Sequence, residues 1–106
     1  MIKLNINHTK ISASHLETLV VGNVNSIFVE FSFSHEWEVV EKVAIFSNGT
    51  SRVSVSLNDD ICAVPWEVLS YKGELIVSLR GVGEGGNFVL CTENASLGRV
   101  EKSLAD

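Results

Sequence analysis

"SIFVEFSF", residues 26–33, alternates between apolar and mostly polar positions. Ile27, Val29, Phe31 and Phe33 fall on one side, and Phe28, Glu30, Ser32 and the following Ser34 on the other. A period of two belongs to a β-strand with one buried face. The pattern recurs outward from this segment in both directions. "RVSVSL" (52–57) sets Val53, Val55 and Leu57 against Arg52, Ser54 and Ser56, and "ELIVSLR" (74–80) aligns Leu75, Val77 and Leu79. "IKLNI" (2–6) aligns Ile2, Leu4 and Ile6. "KVAIFS" (42–47) and "FVLCT" (88–92) are apolar on both faces, as central or interface strands are. "HLETLVV" (15–21) fits either a strand or one helical turn.

Turn signals separate these runs. "SNGTS" (47–51) carries Asn-Gly, a strong short-hairpin signal. "LNDD" (57–60) and "YKG" (71–73) read as polar turns, and "GVGEGGN" (81–87) as a flexible hairpin tip. Turns spaced about 8–12 residues apart predict an all-β fold, a single antiparallel β-sandwich, Ig-like, of about seven or eight strands.

One stretch interrupts the alternation. "DDICAVPWEVLSYKGELIVSLRG" (59–81) holds the only proline and one of two tryptophans. Pro65 has a fixed φ and no N–H, which suits the start of a short helix. The expectation is a helical corner near 65–69, made of Val64, Pro65, Trp66 and Leu69 with Val68 as a further anchor. Gly73 then lets the chain reverse into the next strand.

The 106 residues suffice for one domain, 1–106, and 45% apolar content supports a core. Residues 98–106 are polar in character and are expected to fray or to lead into a partner segment. Net charge is −5 and the pI is near 5.1. The eight Lys and Arg are scattered, which argues against a nucleic-acid partner. No run approaches the ~18 apolar residues of a membrane span. The N-terminus lacks the apolar core of a signal peptide, so synthesis in a cytoplasm is expected. Cys62 and Cys91 are then expected as free, buried thiols.

Candidate chemistry is sparse. "GVGEGG" spells G-x-G-x-x-G at Gly81, Gly83 and Gly86, but a strand-like run follows it where a dinucleotide site needs a helix N-terminus. "SHEWE" holds His35, Glu36 and Glu38, but Val39 stands where a zinc helix needs its second histidine, and His8 and His15 are remote in sequence. Asp59 and Asp60 read as a turn, since a calcium loop needs further oxygen ligands. No nucleophile-elbow motif occurs. The reading is therefore a non-enzyme with no catalytic residue, metal or cofactor.

Apolar residues also fall on the outward side of several strands. With Val29 and Phe31 inward, Phe28 points out, and with Leu75 and Val77 inward, Ile76 points out. Either Val43 and Ile45 or Ala44 and Phe46 must join them. Phe28, Phe46 and Ile76 are taken as a candidate interface for a second copy or another protein.

Two segments, "VEFSFSHEWEVVEKVAIFSNG" (29–49) and "ICAVPWEVLSYKGELIVSLRGV" (61–82), together resemble a family of small β-sandwich domains in structural proteins of phages and prophages of Gram-positive bacteria. The likeness rests on Lys42, Ala44 and Phe46 in a K-x-A-x-F strand ending at Asn-Gly. It rests also on Cys62, Val64, Pro65, Glu67, Val68 and Leu69 in a C-x-V-P-x-E-V-L corner, and covers the middle half of the chain. The resemblance implies a virion component of baseplate, tail-fibre or head-fibre type, assembling with other virion proteins or with itself. It implies no catalysis and no cofactor. The alternative is a cell-surface or carbohydrate-binding module, in which Trp37, Trp66 and Tyr71 would form an exposed aromatic platform for a sugar.

Overall fold

A computed structural model describes residues 1–104. The chain is all-β, with ten strands and three short 3-10 turns among those residues. The strands are β1 Ile2–Asn7, β2 Lys10–His15, β3 Leu19–Val20, β4 Phe28–Phe33, β5 Glu41–Asn48, β6 Ser51–Ser56, β7 Ile61–Ala63, β8 Gly73–Val82, β9 Val89–Cys91 and β10 Ala95–Glu101. They form two sheets in a sandwich-like arrangement. One has four strands in the order β2-β1-β4-β7. The other has six, ordered β3-β10-β8-β5-β6, with β9 sharing one edge of β8 with β10.

The alternation read from sequence sets the core. Ile2, Leu4 and Ile6 of β1 and Val29 and Phe31 of β4 come from one sheet, and Ala44, Phe46, Leu75, Val77, Leu79, Leu97 and Val100 come from the other. All belong to one buried cluster, so hydrophobic burial holds both sheets together. Trp37, from the His35–Trp37 turn, is completely buried and donates its indole N–H to the His8 carbonyl at 2.9 Å. A buried indole needs such an acceptor. Gly81 makes room for that ring: a Cβ there would lie 2.5 Å from Val40 Cγ2 and 2.8 Å from Trp37 Cζ3. The chain therefore folds Trp37 into the core.

Three expectations change. The sheets are not wholly antiparallel, because β1 runs parallel to β4 and β3 parallel to β10. A hairpin cannot join parallel neighbours, and β2 and β3 lie within the crossover from β1 to β4. The strand number exceeds the expected seven or eight because β3, β7 and β9 have only two or three residues, too few to show a period. The expected fraying of 98–106 does not extend over its first part: β10 pairs with β8 and β3 and buries Leu97 and Val100. Residues 105 and 106 lie outside the described residues.

Candidate functional site

The corner sits where the sequence put it. Pro65, with φ −59° and ψ 136°, precedes a 3-10 turn, Trp66–Leu69. Val64, Val68 and Leu69 are buried, and Trp66 stands 53% exposed. The turn packs on β5 and β6. A residue of the Asn-Gly hairpin ties the corner down. Asn48 is the last residue of β5, and its carboxamide is buried. Its Nδ2 donates to the carbonyls of Val68 at 2.9 Å and Tyr71 at 3.0 Å. The Tyr71 hydroxyl donates to the Asn48 carbonyl at 2.5 Å. This is a structural clamp between the β5–β6 hairpin and the corner. It leaves Trp66 and Tyr71 partly exposed beside it, but the buried Trp37 cannot join them, so the three-ring aromatic platform does not form.

The other sequence motifs resolve into local structure. "GVGEGG" leaves β8 for a three-residue 3-10 turn, Glu84–Gly86, and enters β9, with Gly85 at φ 75° and Gly86 at φ 72°. No helix meets the glycines, so the geometry that holds a pyrophosphate is not built there. His35 Nδ1 lies 3.5 Å from the Glu38 carboxylate on the surface. The His8 amide donates to Ser34 Oγ at 2.9 Å, and the Ser34 hydroxyl donates to Glu36. That hydroxyl holds the Glu36 carboxyl below its ordinary pKa. No group of three or more metal-ligating side chains occurs among the described residues. Asp59 and Asp60 take left-handed φ of 60° and 58° in the β6–β7 turn. Asp60 faces Lys42 at 3.6 Å, and that ammonium also sits 5.0 Å from the Phe33 ring centroid, linking the two sheets.

Both thiols are free. Cys62 is half-buried, and loss of water pushes its pKa up to about 11. Cys91 is exposed rather than buried, because it shares the outward parity of β9 with Val89 while Leu90 points in.

The three residues assigned to an interface do not meet. Phe46 points into the core and is fully buried. Phe28 lies on the outer side of the four-stranded sheet, beside Ala63 and diagonal to Ile61. Ile76 lies on the outer side of the six-stranded sheet. Val43 and Ile45, not Ala44 and Phe46, are the outward pair of β5.

Register assembles a different apolar band. On the outer side of the six-stranded sheet Val82 sits opposite Val89, and Glu41 is opposite Val82 on its other side. Val43, opposite Arg80, is diagonal to Val82, and Ile45, opposite Ser78, follows it along β5. Ile76, opposite Ser47, is diagonal to Ile45. Directly paired residues on one face touch, and diagonal ones lie about 7–8 Å apart, within reach of longer side chains. Val89, Val82, Val43, Ile45 and Ile76 thus run obliquely across three strands, flanked by Ser47, Ser54, Ser56 and Ser78 and by the charged Glu41 and Arg80. All five are half-buried or exposed.

No protein-family model matches the chain, and comparison with curated proteins finds no match.

Proposed function

We propose that the chain is a non-enzymatic assembly module of a phage or prophage particle, Ig-like in general shape, that joins other virion proteins. One observation carries the assembly part of this reading. The apolar band Val89–Val82–Val43–Ile45–Ile76 lies on the face of the six-stranded sheet turned away from the core. A sheet face that packs on nothing is ordinarily polar, and a contiguous apolar strip on it fits protein docking. The virion part rests on the resemblance of residues 29–49 and 61–82 to Gram-positive phage structural domains.

The test is made on particles. Phage particles induced from the bacterium that encodes the chain are purified and their proteins identified by mass spectrometry. The chain is expected in them in stoichiometric amount. Ile45→Glu, which charges the middle of the band, should keep the fold and abolish incorporation. Particles that lack the chain overturn the virion reading, and undiminished incorporation of Ile45→Glu overturns the role of the band. Of its three rings the carbohydrate reading keeps Trp66 and Tyr71 exposed, and glycan-array binding lost on Trp66→Ala would favour it.

A further inference from the structure

Among the described residues the outer strands β2, β3, β7 and β9 are each blunted, and β6 is not. β3, β7 and β9 are two or three residues long. β2 is bulged against β1 between Lys3 and Leu4. It is also covered near its start, where the Glu93 amide donates to the Thr9 carbonyl at 2.8 Å and the Ile11 amide donates to the Glu93 carboxylate at 3.3 Å. β6, by contrast, is six residues long, pairs with β5 in unbroken register, and has no strand on its other side among the described residues. It carries no proline and one charge, Arg52. Natural edges of this length are normally protected, and an unprotected one is a template for another strand.

The ladder fixes which groups face that open edge. The Leu57 amide donates to the Lys42 carbonyl at 3.0 Å, and Asn48 opposite Ser51 closes the hairpin. Hydrogen-bonded pairs alternate in an antiparallel ladder, so Ser51, Val53, Val55 and Leu57 turn their backbone groups to β5. Arg52, Ser54 and Ser56 turn theirs outward, and among the described residues no hydrogen bond to those backbone groups occurs. Val53, Val55 and Leu57 face the core side but stay only half-buried, because the sheet ends at their strand.

We propose that β6 pairs antiparallel with β6 of a second copy of this chain about a two-fold axis at Ser54, joining two six-stranded sheets edge to edge. Centred there, Arg52 faces Ser56 of the copy and no like charges oppose. Val53 faces Val55 of the copy, so each shields the apolar surface that the edge leaves open. The strand is also complementary in charge end to end: Arg52 opens it, and Asp59 follows its close, while Asp60 is held by Lys42. Antiparallel pairing brings the cationic end of one copy beside the acidic end of the other, whereas parallel pairing would stack like on like. Small serines at the outward positions let the backbones approach. This pairing does not depend on the virion reading.

Light scattering after size exclusion, on the full chain at millimolar concentration, is expected to give twice the monomer mass of 11.6 kDa. Ser54→Lys, which sets two equal charges across the axis, should give a monomer with an unchanged far-UV spectrum. Ser54→Pro removes an outward amide at an edge position, where proline is tolerated, and should do the same. In a Cys91→Ser background, Ser54→Cys should form a covalent dimer under mild oxidation, since Cα atoms about 5.5 Å apart suit a disulfide. Arg52→Cys in that background should not, because its mate sits four positions away. A monomeric wild type overturns the proposal. So does a dimer untouched by Ser54→Lys, or one in which Ser54→Cys fails to cross-link.

Discussion

Asn48 occupies the space that a side chain at residue 73 would need. A Cβ built on Gly73 would collide with Oδ1 of Asn48 and lie 3.1 Å from its Cγ. With φ at +151°, Gly73 also holds a backbone conformation that other residues rarely adopt. The first residue of β8 is therefore a glycine because the last residue of β5 is a buried asparagine.

Removing the carboxamide strands two carbonyls, those of Val68 and Tyr71. Each buried acceptor left unsatisfied costs about 1–3 kcal/mol. Asn48→Ala is therefore expected to lower stability by an amount in that range or above it, and Asn48→Asp, which sets a carboxylate against the same two carbonyls, by more. Gly73→Ala should destabilise as well, through collision and backbone strain. Urea denaturation of the three variants checks this; an Asn48→Asp variant as stable as wild type would contradict the clamp.

The corner is anchored from one side only. Leu69 is buried and Trp66 is half in solvent. Leu69→Ala should cost ~2–5 kcal/mol. Trp66→Ala should cost clearly less. Thermal melts of the two, run side by side, give the order, and equal losses would mean that the tryptophan carries packing that its exposure does not suggest.

Gly81 is a packing glycine. Gly81→Ala drives a methyl into Val40 and Trp37, and overpacking of this kind costs about 1–3 kcal/mol. Quenching or a spectral shift of Trp37 fluorescence, read in a Trp66→Phe background, should accompany the loss. The same substitution at Gly86, where an added Cβ meets nothing, tests φ alone, since that residue sits at φ 72°.

The two thiols should separate in rate. Alkylation of the native protein is expected to modify exposed Cys91 quickly and Cys62 slowly, and alkylation after denaturation to modify both. Burial raises the Cys62 pKa from 9.0 to about 11, so the folded state keeps its proton where the unfolded state has lost it. Stability should fall as pH climbs through that interval, because the unfolded chain then binds fewer protons. Cys62→Ala should flatten that part of the stability profile relative to wild type. A profile with the same slope in both proteins would remove burial as the cause.

The inward faces of β1, β4, β6 and β8 were legible because alternation is a direct consequence of one-sided burial. β2 was not, since among its residues only Ile11 is even half-buried and an exposed edge strand leaves no period. The error at Phe46 has a sharper cause. β5 is apolar on both faces, so its own pattern is silent about which face is inner. Its hairpin is not silent: a two-residue Gly49–Thr50 loop pairs Asn48 with Ser51, hence Phe46 with Val53 and Ala44 with Val55. Paired residues share a face, and the valines of β6 were already assigned inward. Asn48 itself was read as a turn residue because Asn-Gly marks hairpins, and nothing local distinguishes an asparagine in the turn from one buried just before it. The parallel pairs β1–β4 and β3–β10 depend on strand order, which local pattern does not encode.

Those parallel pairs set a timetable for a chain emerging from the ribosome. β1 leaves first, and β2 can close on it at once, but the four-stranded sheet cannot grow until residues 28–33 exist to lie beside it. β3 waits longest: its partner is β10, whose Val100 and Glu101 appear about eighty residues after Leu19 and Val20. Until β10 emerges, the Gly73–Val77 part of that edge of β8 stays uncovered, and a nascent chain exposes unpaired backbone in both its early and its late strands. Pairings this remote in sequence are slow to close, so the interval between translation and completion of the six-stranded sheet is when this protein is most open to sticking to its neighbours.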